Sequence, residues 1–167
     1  IAHKADGAMR DALSIFDRVV SFAGKTLSRK AVAENLNLLD IDVYFQSTDL
    51  ILKGDIPGLL IHFNEVLSLG FEGHHYISGL ASHFRNLMVC RDDKTVELLE
   101  TAESTREKYL QQARSCPQGF LLHALDLANQ CDLEYKTSKN QRLLVELCLM
   151  KLASLGAGEK KKAFDAE

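Results

Sequence analysis

Near its end the sequence contains the strongly apolar stretch Leu143-Leu-Val-Glu-Leu-Cys-Leu-Met-Lys-Leu152. Apolar residues occupy nearly every face of the helix that this stretch predicts over about residues 139–155. Such a helix must be enclosed, because an exposed flank would leave a large apolar surface in water. Two arrangements meet that need, a central helix of a monomeric bundle and a helix at an interface between subunits. The pattern alone leaves both open.

Helical spacing of apolar residues continues through most of the preceding chain. The only prolines are Pro57 and Pro117, so few residues break the helical pattern. Pro57 suits the first turn of a helix, and Pro117 follows the predicted end of another. The sequence therefore predicts an all-α helical bundle. Besides the last helix, its predicted helices begin at Met9 and Ser28 and cover about residues 44–53, 57–69, 76–89, 94–99, 105–114 and 120–131.

A hinge is predicted between two helical parts, over Asn37–Asp42. The predicted domains are therefore residues 1–40 and 41–155. Residues 156–167, which include Lys160-Lys161-Lys162, have the composition of a linker and are predicted to form a flexible tail. Because Ile1 is no initiator residue, we expect the chain to be a piece of a longer protein.

Composition narrows the function class. The 167 residues carry a net charge of −3, which disfavours general binding to polyanions such as nucleic acid. No apolar run reaches the ~18 residues that a membrane-spanning helix needs. The four cysteines have no C-x-x-C spacing, so we expect reduced, buried thiols in a cytoplasmic protein rather than metal ligands.

Signals for catalysis are weak. The sequence has no phosphate-binding loop, no nucleophile-elbow motif and no H-E-x-x-H motif. His74, His75 and His83 could form a metal cluster, but stacked or partly buried histidines are the more ordinary interpretation. His62 and His123 stand alone in predicted helices. These observations predict no catalytic residue and no metal site.

One short segment contains a candidate anion-binding residue. Arg10 lies in the first turn of a predicted helix, directly after the break at Asp6-Gly7. A helix N-terminus already carries partial positive charge, so an arginine there suits an external anion such as a phosphate. The alternative is a surface ion pair between Asp6 and Arg10, worth ~0–1 kcal/mol.

Three segments together resemble the gamma/tau subunits of bacterial DNA polymerase III, the ATPase subunits of the sliding-clamp loader. Ala5–Asp17 (Ala-Asp-Gly-Ala-Met-Arg-Asp-Ala-Leu-Ser-Ile-Phe-Asp) resembles the sensor 2 motif in the lid of AAA+ ATPases. Gly70–Leu87 and Thr137–Leu147 are similar to the collar domain of those subunits. The resemblance covers essentially residues 1–155.

The resemblance implies that residues 1–40 are the last helices of the AAA+ lid and that residues 41–155 are the collar. Arg10 would then be the sensor 2 arginine, which contacts the γ-phosphate of ATP. The implied partners are other gamma/tau copies and the delta and delta-prime subunits, joined through the collar, with the sliding clamp and primed DNA bound by the whole complex. ATP, magnesium and a structural zinc would belong to an N-terminal domain that this sequence lacks. The chain itself would be no enzyme and would bind little nucleic acid.

Two other functions stay open on the residues alone. A free-standing all-helical adaptor would bind other proteins without any role in replication. A helical enzyme would hold a metal ion with His74, His75 and His83.

Overall fold

A computed structural model of the chain describes residues 9–23 and 39–165. The chain divides into two compact units, Ile1–Ile41 and Asp42–Glu167. The described ranges contain α-helices and one short 3₁₀ helix at Val96–Leu98 but no strand, so the predicted all-α class is confirmed. The helices are α1 (Met9–Ala23), α2 (Ile41–Lys53), α3 (Ile56–Ser68), α4 (Gly73–Val89), α5 (Glu103–Arg114), α6 (Gln118–Tyr135) and α7 (Gln141–Asp165).

The described part of the first unit is chiefly α1, a helix that the apolar spacing of this segment predicts. Met9, Leu13 and Phe16 lie on one face, at spacings of one and two helical turns, and all three are exposed. The predicted break at Asp6-Gly7 and the predicted helix that begins at Ser28 lie outside the described residues.

The second unit is built around α4 and α6, which pack most extensively against each other. The last helix, α7, packs on α6, α3 and α4, while α5 packs on α4. Burying one large apolar side chain of this kind contributes about 1.5–3 kcal/mol. The largest fully buried side chains, which form the core, are Tyr76, Phe63, Phe84, Phe120, Ile51, Leu59, Ile77, Leu80, Leu87, Leu121, Leu149 and Leu152.

Local sequence signals set the helix boundaries at the α2–α3 and α3–α4 turns. Gly54 and Gly70 follow the ends of α2 and α3 with φ of 71° and 88°, a left-handed conformation that favours glycine. The carboxylate of Asp55 then caps α3 by accepting a hydrogen bond of 2.9 Å from the backbone N–H of Gly58. Pro57 lies in the first turn of α3, as predicted.

The short helix predicted over 94–99 forms as the 3₁₀ helix, which is shorter than the predicted range. The carboxylate of Asp92 accepts a hydrogen bond of 2.8 Å from the backbone N–H of Lys94. The hydroxyl of Thr95 donates to the carbonyl of Val89 at 2.7 Å. Side-chain bonds of this kind compete with the backbone bonds of an α-helix and hold the segment as a turn.

The last helix is longer than predicted, since α7 continues past Leu155 to Asp165. Gly156 is buried against α2, where a Cβ would collide with the backbone carbonyl of Ile51. Glycine has a low helix propensity, so Gly156 suggested that the helix ends here. The close approach of α7 to α2 explains this glycine instead, because a larger residue would not fit. The following glutamate, lysines and alanine favour helix.

The stretch Leu143–Leu152 is buried on one side and exposed on the other. Leu149 and Leu152 are fully buried, whereas Leu143 and Leu147 are 53% and 43% exposed. The expectation that every face of this helix is enclosed is therefore not met within the chain itself. Among the described residues, we find no helix that combines the length and the apolar character needed to cross a lipid bilayer.

Candidate functional site

Arg10 is the second residue of α1 and its side chain is exposed. The residues before Met9 lie outside the described part of the chain, so the predicted place of Arg10 in the first turn of a helix stays a prediction. Asp6, its alternative partner, lies outside the described residues. The role of Arg10 as a phosphate contact stays a prediction.

His83 of α4 lies at the centre of a polar cluster, which we call the His83 cluster: the buried His83, Tyr109 and Gln112, the half-buried Asn86 and the exposed Asp49. Both ring nitrogens of His83 have partners, since Nδ1 lies 3.2 Å from the hydroxyl of Tyr109 and Nε2 lies 2.8 Å from Oε1 of Gln112. Asn86 donates to the same hydroxyl at 3.3 Å. The cluster therefore joins α4 to α5.

Gln112 of α5 fixes the hydrogen-bonding roles within this cluster. Its amide nitrogen donates to the backbone carbonyl of Phe45 and to the carboxylate of Asp49, both at 2.9 Å. Its Oε1 can only accept, so Nε2 of His83 carries the proton and Nδ1 accepts from Tyr109. Burial lowers the pKa of His83 to about 4, although the hydrogen bond to Gln112 and the charge of Asp49 act in the opposite direction. His83 is therefore neutral at physiological pH.

A polar cavity of about 330 Å³ lies beside the His83 cluster, between α2 and α5. Lys108 spans one wall, with its ammonium 2.9 Å from the carboxylate of Asp42 and 6.0 Å from the ring centre of Phe45. Asp49 and Gln112 reach the cavity from the cluster. Lys108 and Asp42 thus pair with each other, while the carboxylate of Asp49 accepts from the amide of Gln112.

The structure does not give the three candidate metal histidines a shared site. His83 uses both ring nitrogens within its own cluster. His74 instead lies 3.1 Å from the carboxylate of Asp132 and stacks on Tyr135, with ring centres 5.2 Å apart. Across residues 9–23 and 39–165, no group of three His, Cys, Asp or Glu side chains is placed to hold a metal ion.

The remaining histidines singled out in the sequence and the four cysteines have surroundings typical of structural residues. His62 donates to the backbone carbonyl of Val43 at 3.2 Å, and His123 is exposed on α6. All four cysteines are buried free thiols, as expected.

A second cavity, of about 70 Å³, lies in the groove between α6 and α7, which we call the α6–α7 groove: Leu127, Gln130, Cys131, Glu134, Leu144, Leu147, Cys148 and Lys151. Its floor is apolar and carries the two cysteines, whereas Gln130, Glu134 and Lys151 are exposed at its rim. Leu143 lies one helical turn before Leu147 on the same helix. The groove and these two leucines therefore form one continuous apolar surface with a polar border.

Sequence reasoning missed the His83 cluster and the groove. The partners in the cluster come from three helices that are far apart along the chain, so no local spacing links them. The apolar excess of Leu143–Leu152 was the one signal for an exposed apolar surface on α7.

Comparisons with known proteins agree with the resemblance. The family model described as DNA polymerase III subunits gamma and tau domain III matches residues 27–163. The chain is 25% identical to DNA polymerase III subunit tau of Bacillus subtilis (strain 168) over 156 residues, which are 91% of this chain and 27% of that protein. It is 26% identical to DNA polymerase III subunit gamma of Buchnera aphidicola subsp. Acyrthosiphon pisum (strain APS) over 159 residues, 92% of this chain and 43% of that protein.

A third relative comes from a plant. Protein STICHEL-like 2 of Arabidopsis thaliana is 23% identical over 155 residues, which are 92% of this chain and 17% of that protein. The chain thus spans less than half the length of each of these curated relatives. The family model, however, covers α2 to α6 entirely and nearly all of α7. The chain belongs to the family of domain III of the DNA polymerase III subunits gamma and tau.

Proposed function

We propose that the chain is the collar module of a DNA polymerase III clamp loader, with the end of the AAA+ lid before it. Its helical unit would pack beside the collars of other gamma/tau copies and of the delta and delta-prime subunits. The observation that carries this proposal is the family match over residues 27–163, which covers nearly all of the unit Asp42–Glu167 and the end of the first unit. The whole complex would load the sliding clamp on primed DNA, and the chain itself would catalyse nothing.

The contact surface we propose is the α6–α7 groove together with Leu143. A stable interface needs a desolvated apolar centre inside a polar border. Leu147 and Leu143 are two large apolar side chains left half exposed on a helix whose opposite side is buried in the core. Burial against a neighbouring subunit would satisfy the apolar faces that this chain leaves exposed.

A paired substitution tests this surface. Leu143→Glu combined with Leu147→Glu would place two carboxylates at the centre of the interface, where an unpaired charge is costly. We expect at least ~10-fold weaker association with partner subunits, measured by size-exclusion chromatography with light scattering. Helical content by circular dichroism should stay unchanged, because both side chains point away from the core.

The matched control is Leu69→Glu, which adds a carboxylate at a leucine 73% exposed near the end of α3. We expect this variant to associate like the unmodified chain. Equal association of the double variant and the control would overturn the proposed surface. Loss of association in the control alone would place the interface elsewhere.

For Arg10 we propose the sensor 2 role that the resemblance implies. Support comes from its exposed side chain near the beginning of the described part of α1 and from the sequence pattern, in which a γ-phosphate would meet both the guanidinium and the predicted helix N-terminus. In a longer protein that includes the ATPase domain, Arg10→Ala should lower ATP-dependent clamp loading by about 10²-fold. Assembly of the subunits should be unaffected, and loss of assembly instead would contradict this role.

ATP, magnesium and the structural zinc are proposed for the ATPase domain and not for this chain. The support is chemical, because this sequence has no loop of backbone N–H groups that could cradle a triphosphate. Its four cysteines also lack the paired spacing of a zinc site.

A further inference from the structure

Cys131 of α6 and Cys148 of α7 face each other across the junction of the two helices. The thiol of Cys131 lies 3.9 Å from the carbonyl of Leu144, and the thiol of Cys148 lies 3.5 Å from the carbonyl of Leu127. Leu144 is one helical turn before Cys148, and Leu127 is one turn before Cys131. Each sulfur therefore reaches the turn that carries the other cysteine.

The two thiols also interact with each other directly. When Cys131 ionises, its thiolate can accept a hydrogen bond from Cys148, which lowers the pKa of Cys131 and raises that of Cys148. Burial raises both pKa values, Glu134 and Asp132 raise that of Cys131, and the ammonium of Lys151 lowers both. Cys131 is thus the sulfur of the pair that ionises first, and a thiolate is the nucleophilic form.

A route for a small reagent leads to this pair. Both cysteines line the 70 Å³ cavity of the α6–α7 groove, although each side chain is itself buried. The volume is enough for about two water-sized molecules. Hydrogen peroxide, which is little larger than water, can therefore reach the sulfurs.

We propose that Cys131 and Cys148 form a dithiol site that hydrogen peroxide oxidises to an intramolecular disulfide joining α6 to α7. The pair lies in the groove that we propose as the contact surface, so the site is open to peroxide in the unassembled chain, which is the form used in the experiment below. A disulfide needs Cα atoms about 4.4–6.8 Å apart, a separation that two packed helices reach where small side chains such as cysteine face each other.

The chemistry takes two steps. The thiolate of Cys131 attacks one peroxide oxygen, the O–O bond breaks, and the departing hydroxide takes up the released thiol proton to leave as water. The sulfur of Cys148 then attacks the sulfenic acid on Cys131, the S–O bond breaks, and the hydroxyl leaves as water with the proton of Cys148. The two thiols lose two electrons and two protons in all, and one peroxide becomes two waters.

The other two cysteines serve as internal controls. Burial raises the pKa of Cys116 to about 12, and burial also raises that of Cys90. Neither lines the cavity of the α6–α7 groove. Both should keep free thiols under conditions that oxidise the pair.

The experiment treats the folded 167-residue chain with a small excess of hydrogen peroxide, then denatures it and blocks free thiols with N-ethylmaleimide. We expect two blocked thiols in place of the four of the reduced chain, and full recovery of four after dithiothreitol. Trypsin should release peptide 115–136 joined to peptide 143–151, and fragmentation between Cys116 and Cys131 assigns the bond.

Variants sharpen the assignment. Cys90→Ala should keep the disulfide, whereas Cys148→Ala should abolish it and leave a sulfenic acid on Cys131 that dimedone traps. Four blocked thiols in the treated chain would overturn the proposal, as would a disulfide that includes Cys90 or Cys116 or one that joins two chains. Because the peptide analysis uses the unmodified chain, it stays decisive even if a variant fails to fold.

Discussion

At the scale of single residues, His83 shows how a buried polar side chain can be structural. Its ring is 1% exposed, and its neighbours use both of its nitrogens. A neutral imidazole satisfied in this way costs little, whereas a protonated one would place an unmatched proton and charge in the core. The same residue in the sequence suggested a metal ligand, because spacing along a helix says nothing about partners on other helices.

His83 should make stability depend on pH. Its pKa is about 4 in the folded chain and 6.5 in the unfolded chain, so between these values the unfolded state binds more protons and stability falls as pH falls. Between about pH 7.5 and about pH 5, His83 should account for about 2 kcal/mol of lost free energy of unfolding. Urea denaturation of wild type and His83→Gln measures this contribution.

The control for this prediction is His123→Gln, which changes an exposed histidine on α6. Its free energy of unfolding should fall between about pH 7.5 and about pH 5 by as much as that of the wild type. The corresponding fall for His83→Gln should be about 2 kcal/mol smaller than that of the wild type. Equal losses in wild type and His83→Gln would show that His83 does not carry the effect.

The capping carboxylate of Asp55 gives a second prediction at this scale. Asp55→Ala removes the bond to the N–H of Gly58 and should lower the free energy of unfolding by about 1 kcal/mol. Asp55→Asn keeps an acceptor oxygen and should cost clearly less. Thermal denaturation of the two variants measures this difference. An equal loss of stability in both would show that the charge of Asp55, and not its capping hydrogen bond, stabilises the chain.

At the scale of elements, apolar spacing predicted the position of most helices well. Helices α2 to α6 lie where the pattern placed them, because each buries one face and the period of that face is visible in the sequence. The pattern failed beyond Leu155, where a linker-like composition concealed the continuation of α7. The reason is tertiary, since Gly156 marks a close approach to α2 and not the end of a helix.

Two glycines in α7 allow a matched test of the close packing between α7 and α2. Gly156→Ala should lower the free energy of unfolding by about 1–3 kcal/mol, because the new methyl group collides with the backbone carbonyl of Ile51. Gly158→Ala has open space around its Cβ and should raise helix stability by up to about 1 kcal/mol. Chemical denaturation of both variants measures the difference, and a neutral or stabilising Gly156→Ala would contradict the packing of α7 on α2.

At the scale of the whole molecule, composition and motifs predicted the class and the family, but not the surfaces. Three sequence segments were enough to show the resemblance: Ala5–Asp17, Gly70–Leu87 and Thr137–Leu147. The family match over residues 27–163 agrees with it. The half-exposed Leu143 and Leu147 could not be told from core leucines, because exposure depends on which helices surround α7.

The chain by itself should not hydrolyse ATP. Its sequence has no phosphate-binding loop, and one arginine does not hold a triphosphate without the backbone N–H groups of such a loop. We expect phosphate release no faster than in a control without protein, and no measurable heat of ATP binding. A dissociation constant in the micromolar range by calorimetry would contradict this expectation.

We propose that this chain assembles with the subunits of a clamp loader. Size-exclusion chromatography with multi-angle light scattering, on the chain alone and mixed with delta and delta-prime subunits, tests this assembly. We expect a new, earlier peak in the mixture whose mass equals a complex containing the chain. A chain that elutes as an unchanged monomer in every mixture would contradict it.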